Sequence, residues 1–352
     1  MKRLTCFSIM VLVSCLFVLC TGSNKKTVSE ASGLEWPDGL PVYDHIVIVV
    51  EENKDYDEVI GNPDVPYINQ LKAEGANFTK MYGEEHFSQG NYFWLFSGSD
   101  HDIGFFDHPP EPGSIDASNL GQQLIAKGLS FKGYAENLPE IGSTVDTAGE
   151  SLCDTTTQLY ARKHVPWISF ANVPNGNTVE TSCNLRFKDF PAHDFDLLPT
   201  VAIVIPNLDD DMHNCQIEES VPAGDRWLQE HMDAYYQWAK DNNSLLILTF
   251  DENNDKRHYT GLTDPFLKPD SCAHDSTYQE CCTDLTNRTM TIFAGAHIKP
   301  GDYPEDRGIT HVNILRTIEA MYGLPKSGAQ QPNAARGGIT DDYIITDVFE
   351  KQ

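Results

Sequence analysis

The sequence feature that most limits the fold is a series of short apolar runs rich in β-branched residues. The clearest run spans 45–50 (HIVIVV), with Asp44 before it and charged residues after it. A continuous apolar run of this kind is typical of a strand buried on both faces of a parallel sheet. Comparable runs recur at 129–134, 201–205, 245–250 and 290–293.

Helix-like stretches alternate with these runs, at 68–74, 120–127, 225–240 and 312–321. In the third stretch the large apolar residues repeat with the 3.6-residue period of an amphipathic helix. The alternation predicts an α/β fold, a doubly wound, mostly parallel sheet with helices on both faces. Residues 135–198 lack a regular period and hold two cysteines, so we interpret them as a disulfide-tied cap insertion. We expect residues 41–352 to form a single catalytic domain.

The N-terminal residues 1–22 have the pattern of a secretory signal peptide: two basic residues, an apolar stretch, then small residues. The alternatives are a membrane anchor, for which the stretch is short, and a lipid on Cys20, which large apolar residues precede. We favour cleavage of the signal peptide, which would leave a polar leader (23–40). The mature protein would then be secreted and have no stable membrane span. A periplasmic or lipid-anchored protein is the less favoured alternative. Six cysteines remain, and an even number in an exported chain predicts disulfides of undetermined connectivity.

The net charge of the chain limits the classes of partner that it can bind. The chain has 52 acidic and 25 basic residues, a formal net charge of −27, which repels nucleic acid and anionic surfaces. A phosphate-binding site in such a protein must supply positive charge locally, and a metal ion is the obvious source. Three N-glycosylation acceptor sequences begin at Asn77, Asn242 and Asn287, a number close to chance.

Polar side chains follow two of the predicted strands. Glu52 and Asn53 come after the run 45–50, and Asp251 and Glu252 come after the run 245–250. Open α/β sheets bind their ligands at the carboxyl ends of strands, and such oxygens suit a hard divalent cation. We therefore interpret these four as metal ligands, although either pair alone could be solvated acids. Glu51 alternates away from Glu52, so we expect it to lie outside this set or to be exposed.

A second polar segment precedes the aromatic-rich stretch 92–96, which predicts a buried helix. Ser88 and Asn91 would lie at its N-terminus, where free amides and the helix dipole favour an anion. We interpret Ser88 as the nucleophile and as a metal ligand, because a serine hydroxyl needs a metal or a base for activation. The alternative is that Ser88 only caps the helix. A hydroxyl, an amide and an oxygen-rich strand end together indicate phosphoryl transfer.

Six segments in order carry a family resemblance. They are 50–53 (VEEN), 86–92 (HFSQGNY) with 96–99 (FSGS), 160–166 (YARKHVP), 206–208 (PNL) with 211–213 (DMH), 249–252 (TFDE), and 310–311 (TH) with 315–319 (LRTIE). Over roughly residues 42–325 the chain resembles the phosphoesterase family of acid phosphatases and phosphatidylcholine-type phospholipases C. That family is a branch of the alkaline phosphatase superfamily, which implies an alkaline phosphatase-like sheet.

The resemblance also implies roles for single residues. Ser88 matches the metal-bound nucleophile, although Gly90 replaces the proline that the family has before Asn91. Three histidines match catalytic positions that line the phosphate: His164, His213 and His311. We also expect substrate contacts from Asn91, His86, Lys163 and Asp211, with His86 and Lys163 as lesser candidates. Asp211 could instead orient His213 or bind a second metal, but the Asp-Glu pair after residue 250, in place of Asp-His, favours one divalent ion over two.

The function we expect is that of a secreted, metal-dependent acid phosphatase. It would hydrolyse phosphomonoesters of small molecules or lipid headgroups through a phosphoserine intermediate. The alternatives are a phospholipase C-type phosphodiesterase and a phosphoinositide phosphatase. A sulfatase-like enzyme is disfavoured because the N-terminal residues that sulfatases use are not evident. An inactive binding domain is disfavoured because the six segments keep their ligand residues.

Overall fold

The computed structural model describes residues 40–103, 108–154, 156–254, 287–304 and 308–350. The predicted signal peptide and nearly all of the predicted leader lie outside these residues. So do three of the six remaining cysteines, Cys272, Cys281 and Cys282.

The described residues form a central nine-stranded sheet with the order β10-β2-β9-β8-β1-β7-β3-β6, and β11 pairs with β2. The strands of the chain are β1 (His45–Glu51), β2 (Ala76–Tyr82), β3 (Phe131–Ala135), β4 (Thr147–Ala148), β5 (Tyr160–Ala161), β6 (Asn184–Arg186), β7 (Val201–Ile205), β8 (Ser244–Phe250), β9 (Arg288–Gly295), β10 (Gly301–Tyr303) and β11 (Ile309–Thr310). β9 is antiparallel to both of its neighbours, and the other pairings in this sheet are parallel. The predicted mostly parallel α/β sheet is confirmed.

Helices cover both faces of this sheet. They are α1 (Tyr56–Val59), α2 (Pro66–Glu74), α3 (Ser88–Ser97), α4 (Leu120–Ala126), α5 (Ile217–Ala239), α6 (His311–Met321) and α7 (Pro332–Arg336). Alternate residues of β1 enter two cores: Ile46, Ile48 and Val50 pack with α3, α4 and α6, whereas Val47 and Val49 pack with α2 and α5. Burial on both faces is the reason why β1 has a continuous apolar sequence.

Two of the longer elements differ from the sequence prediction. β2 was not predicted, because its sequence (ANFTKMY) mixes polar and apolar residues and its centre is only half-buried. The helix α5 begins at Ile217, well before the predicted start. The sequence prediction missed its first turns because they contain Pro222 and two acidic residues, which interrupt the apolar period.

The segment 135–198 is mostly irregular, as predicted for a cap. It contains the β4–β5 ribbon and four short 3₁₀ helices, and its strand β6 pairs with β3 at one end of the sheet. A disulfide joins Cys153 in this segment to Cys215 in the loop that follows β7. Cys183 is buried and forms no disulfide with any residue that the structure describes.

Two further predictions concern the surface. Of the three glycosylation acceptors, Asn77 and Asn287 are fully buried and hydrogen-bonded, so only Asn242 is exposed in the folded chain. Among the described helices, none combines the length and apolar character that crossing a bilayer requires.

Candidate active site

Acidic side chains converge at the carboxyl end of the sheet. β1 lies between β7 and β8 and runs parallel to both, so the loops that follow these strands meet at one edge. Glu52 after β1, Asp211 after β7 and Asp251 after β8 are all fully buried, and Glu252 is 4% exposed. The backbone links them, because Glu52 N donates to Asp211 O at 2.8 Å and Asp251 N donates to Glu51 O at 3.0 Å.

Ser88 lies against these acids. It is the first residue of the wholly buried helix α3. Its hydroxyl donates to Glu52 Oε2 at 2.9 Å and is 3.4 Å from Glu252 Oε1. The N-cap position belongs to Phe87, so the Ser88 side chain contacts the carboxylates and does not cap the helix. The carboxylates of two strand ends thus meet at one hydroxyl.

Gly90 makes room for an acid beside the first turn of α3. A Cβ on residue 90 would collide with the Glu85 carboxylate, which is 3% exposed. This contact explains why the chain has glycine where the resembled family has proline. Asn91 braces the same loop: its Oδ1 accepts from the backbone N–H groups of Glu84 and Glu85, and its Nδ2 donates to Glu85 O. The Asn91 amide, predicted to contact substrate, is therefore engaged by the protein.

Tyr92 is a site residue that sequence reasoning missed. Its hydroxyl donates to Glu52 Oε1 at 2.6 Å, and its ring stacks on His164 with centroids 4.8 Å apart. His164 Nε2 lies 3.1 Å from the same Glu52 oxygen. The signal was available, because a residue four positions after Ser88 lies on the same face of a helix.

His86 and His311 contact carboxylates, and His311 also contacts a backbone carbonyl. His86 Nδ1 lies 2.8 Å from Glu252 Oε2. His311, the first residue of α6, is 1% exposed, with Nδ1 2.5 Å from Glu84 Oε2 and Nε2 2.8 Å from Phe250 O. Because a carbonyl only accepts, Nε2 of His311 is protonated. Glu84, also missed from the sequence, accepts from the first turn of α6 as well, through Val312 N at 2.9 Å.

His213 and Lys163 are half-buried. The backbone N–H of His213 donates to Asp211 Oδ1 at 2.8 Å, and its Nδ1 lies 3.0 Å from Asn214 Oδ1. The amide oxygen can only accept, so Nδ1 is the donor in this contact and Nε2 is the ring nitrogen left to face other partners.

Lys54, a third residue that sequence reasoning missed, is a buried lysine at this edge. It is 4% exposed, and its ammonium donates to Met212 O at 2.5 Å and to Asn53 O at 3.1 Å. Burial lowers the pKa of Lys54, while the nearby carboxylates oppose that shift. Asn53 has a left-handed φ of 55°; its backbone N–H donates to Asp251 Oδ1 at 3.0 Å, and its side-chain amide donates to Glu52.

The buried acids perturb one another. Burial, followed by the charge of Glu52, raises the pKa of Asp211 and Asp251 well above the usual range. Burial of Glu52 acts in the same direction, but three neighbouring cations outweigh it and lower its pKa to about 2. These cations are His164, His213 and Lys163. These charges, together with the hydrogen bond from Tyr92, favour the ionised form of Glu52.

Several of these oxygens fit a divalent cation. Within the described residues, Asp211 Oδ2, Asp251 Oδ2 and both carboxylate oxygens of Glu51 are buried without a hydrogen-bond partner. Glu51 is therefore buried, not exposed. Glu52, His164 and Asp211 each offer a ligand atom, and these atoms lie within 4.8 Å of one another. Unpaired buried carboxylates are costly, and oxygen-rich ligands are those that hard cations prefer.

Comparison with known proteins shows the family of the chain. Residues 62–325 match the phosphoesterase family. The chain belongs to the phosphoesterase family. This membership confirms the predicted family and the predicted enzyme class, a phosphoric ester hydrolase.

Three proteins illustrate the similarity of this phosphoesterase to others. It is 40% identical over 289 residues to a protein of Mycobacterium tuberculosis named phosphatidylinositol-3-phosphatase, covering 82% of this chain and 80% of that one. It is 24% identical over 285 residues to an acid phosphatase of Aspergillus fumigatus, covering 79% of this chain but 54% of that one. A solved structure from Vibrio parahaemolyticus, described as a protein in the alkaline phosphatase superfamily, matches with a TM-score of 0.47 and 11% identity, covering 80% of this chain and 67% of that one.

Proposed function

We propose that this phosphoesterase is a secreted, metal-dependent acid phosphatase that hydrolyses phosphomonoesters through a phosphoserine at Ser88. The observation that carries the proposal is the position of the Ser88 hydroxyl. It lies at the N-terminus of α3, 2.9 Å from Glu52 and 3.4 Å from Glu252. A buried serine held by carboxylates from two strand ends can be activated in a way that a surface serine cannot. Secretion rests on the pattern of residues 1–22 alone.

A divalent cation would be held by Glu52, Asn53, Asp251 and Glu252 together with Ser88. The partnerless Asp251 Oδ2 and the carboxylate pair around the Ser88 hydroxyl support this set. When bound, the ion supplies Lewis acidity to the phosphoryl oxygens and favours the ionised form of the hydroxyl. We propose one such ion per chain.

The residues of the chain would carry out the nucleophilic attack and bind the phosphate. The Ser88 oxygen attacks phosphorus in line with the leaving oxygen, and the hydroxyl proton has two carboxylate acceptors within hydrogen-bond reach. The first turn of α3 has backbone N–H groups without helical acceptors, and these suit phosphoryl oxygens. Lys163 and His86 lie beside this region as further phosphate contacts.

Proton transfer falls to the histidines. Nδ1 of His213 donates to Asn214, so its Nε2, when unprotonated, would take a proton from the water that hydrolyses the phosphoserine. His311 has protein partners on both ring nitrogens, so it must exchange its bond to Phe250 O before it can protonate a leaving oxygen. His164 holds Glu52 in place and would orient it towards the ion.

Phosphoinositide monoesters are the second candidate substrate class. The support is the 40% identity to the mycobacterial protein, whose name states that activity and of which 80% is covered. Both candidates share a phosphomonoester and the same nucleophile, so the difference lies in the leaving group.

The test combines an assay panel with chemical trapping. The wild-type chain should hydrolyse an aryl phosphate and glycerol phosphate faster at pH 5 than at pH 8, lose activity in EDTA and regain it with divalent metal. A short-chain phosphatidylinositol 3-phosphate tests the second candidate, and a phosphodiester tests the phospholipase C alternative. Acid quenching during turnover followed by mass spectrometry should detect phosphate on Ser88.

Ser88→Ala should abolish turnover while the chain stays folded. Ser97→Ala is the matched control, because Ser97 is a buried serine of the same helix whose hydroxyl bonds Phe93 O at 2.9 Å. Phosphate on another residue, or substantial activity in Ser88→Ala, would refute the nucleophile.

A further inference from the structure

Lys54 is a buried cation inside the acidic site. Its ammonium bonds two backbone carbonyls, and neither bond uses a carboxylate oxygen. The two carbonyls belong to Met212, the residue after Asp211, and to Asn53, the residue after Glu52. The ammonium is therefore bound to the backbone next to two buried acids, whose charges act on it, and it does not use their carboxylate oxygens.

The acids of the site fall into two groups that share Glu52. The β8-side group contains Asp251 and Glu252, and Ser88 contacts it through Glu252. The β7-side group contains Asp211 and His164, whose ligand atoms lie within 4.8 Å of each other and of a Glu52 oxygen. By ligand type and spacing alone, the β7-side group could hold a cation in addition to the ion proposed for the β8 side.

We propose that Lys54 is a built-in cation that limits this site to one divalent ion, an inference that rests on the proposed metal-dependent function. The ammonium bonds the carbonyl of the residue after Asp211, and the charges of Asp211 and Glu52 act on it, so a second ion held by these acids would be repelled by this buried positive charge. The same charge offsets part of the cost of burying Asp211 and Glu52. The β8-side acids, Asp251 and Glu252, follow a different strand from Asp211, and the ion proposed there would contact Ser88.

The test measures metal stoichiometry and affinity, independently of turnover. The metal-free, full-length chain is titrated with Mn²⁺, and free Mn²⁺ is measured by electron paramagnetic resonance. The wild-type chain should bind one ion at free Mn²⁺ up to the order of 1 mM, the weak end of protein sites for hard divalent cations. Lys54→Met should bind a second ion, and its first ion should bind about tenfold tighter or more, because a buried repulsion has been removed.

Two controls separate charge from structure. Lys54→Arg keeps the charge and should bind one ion. Lys72→Met makes the same charge change at a half-buried surface pair with Asp302, and should also bind one ion with wild-type affinity. Circular dichroism and thermal unfolding establish that each variant is folded.

Several outcomes overturn the inference. Binding of two ions by the wild-type chain would overturn the inference. This result needs no variant, so the inference can be tested even if Lys54→Met does not fold. One ion at unchanged affinity in folded Lys54→Met, or a second ion in Lys54→Arg, would overturn it as well. A wild-type chain that binds no Mn²⁺ and is insensitive to EDTA overturns the metal dependence of the proposed function itself, so the two failures are distinguishable.

Discussion

Replacement of Tyr92 by phenylalanine removes one hydroxyl from the site and little else. The hydroxyl donates to Glu52 Oε1 at 2.6 Å, and Tyr92 is 2% exposed, so water cannot readily take its place. The ring that stacks on His164 is retained in Phe. Glu52, the carboxylate with the lowered pKa, therefore loses one partner without a change in packing.

The size of the effect follows from the type of hydrogen bond. A hydrogen bond to a charged group contributes about 1.5–3 kcal/mol, so the free energy of unfolding should fall by about that amount. Groups that orient a metal ligand are worth about 10- to 100-fold in metal affinity or activity. We expect Tyr92→Phe to weaken divalent-ion binding and to lower kcat/KM for an aryl phosphate by about 10- to 100-fold.

The assay pairs this variant with a second tyrosine. The hydroxyl of Tyr160 is buried without a hydrogen-bond partner among the residues that the structure describes, so Tyr160→Phe should leave metal affinity and kcat/KM unchanged. Both variants are titrated with Mn²⁺ and unfolded in urea. Wild-type metal affinity and kcat/KM in Tyr92→Phe would refute the reasoning, as would an equal loss in Tyr160→Phe.

Three more predictions follow from the site and the cap. Glu52→Ala and Asp251→Ala should each lower metal content as well as rate, because each removes a charged oxygen; lost activity with unchanged metal by elemental analysis would contradict the assignment. His311→Ala should slow turnover by about 10²–10⁴-fold with metal content unchanged, and acidic phenol leaving groups should restore the rate. Equal losses on aryl and alkyl phosphates would instead assign His311 to phosphate binding or positioning. Replacing Cys153 and Cys215 by serine should lower stability by about 4 kcal/mol, since the disulfide spans 62 residues, and equal urea midpoints would contradict this.

The sequence by itself determined most of the sheet and the chemical character of its edge. The runs that became β1, β3, β7, β8 and β9 were recognisable, because strands buried on both faces must be apolar throughout. The buried helix that begins at Ser88 was recognisable from its aromatic residues. Acids directly after two such strands indicated a cation site, since parallel neighbours end at the same edge.

Only the tertiary structure decided which of these groups touch. Tyr92 and Lys54 were missed because their partners, Glu52 and Met212 O, are distant in sequence or lie on a loop whose path the local pattern does not specify. β2 was missed because its partners, β9, β10 and β11, come later in the chain and its own sequence lacks a period.

His311 shows the same division. Its segment suggested a histidine that faces the phosphate, yet the fold places its ring between Glu84 and the carbonyl of Phe250. The physical reason is general: local sequence sets backbone preference and burial, whereas contacts between side chains depend on strand order and register. Those are set by the packing of the whole chain.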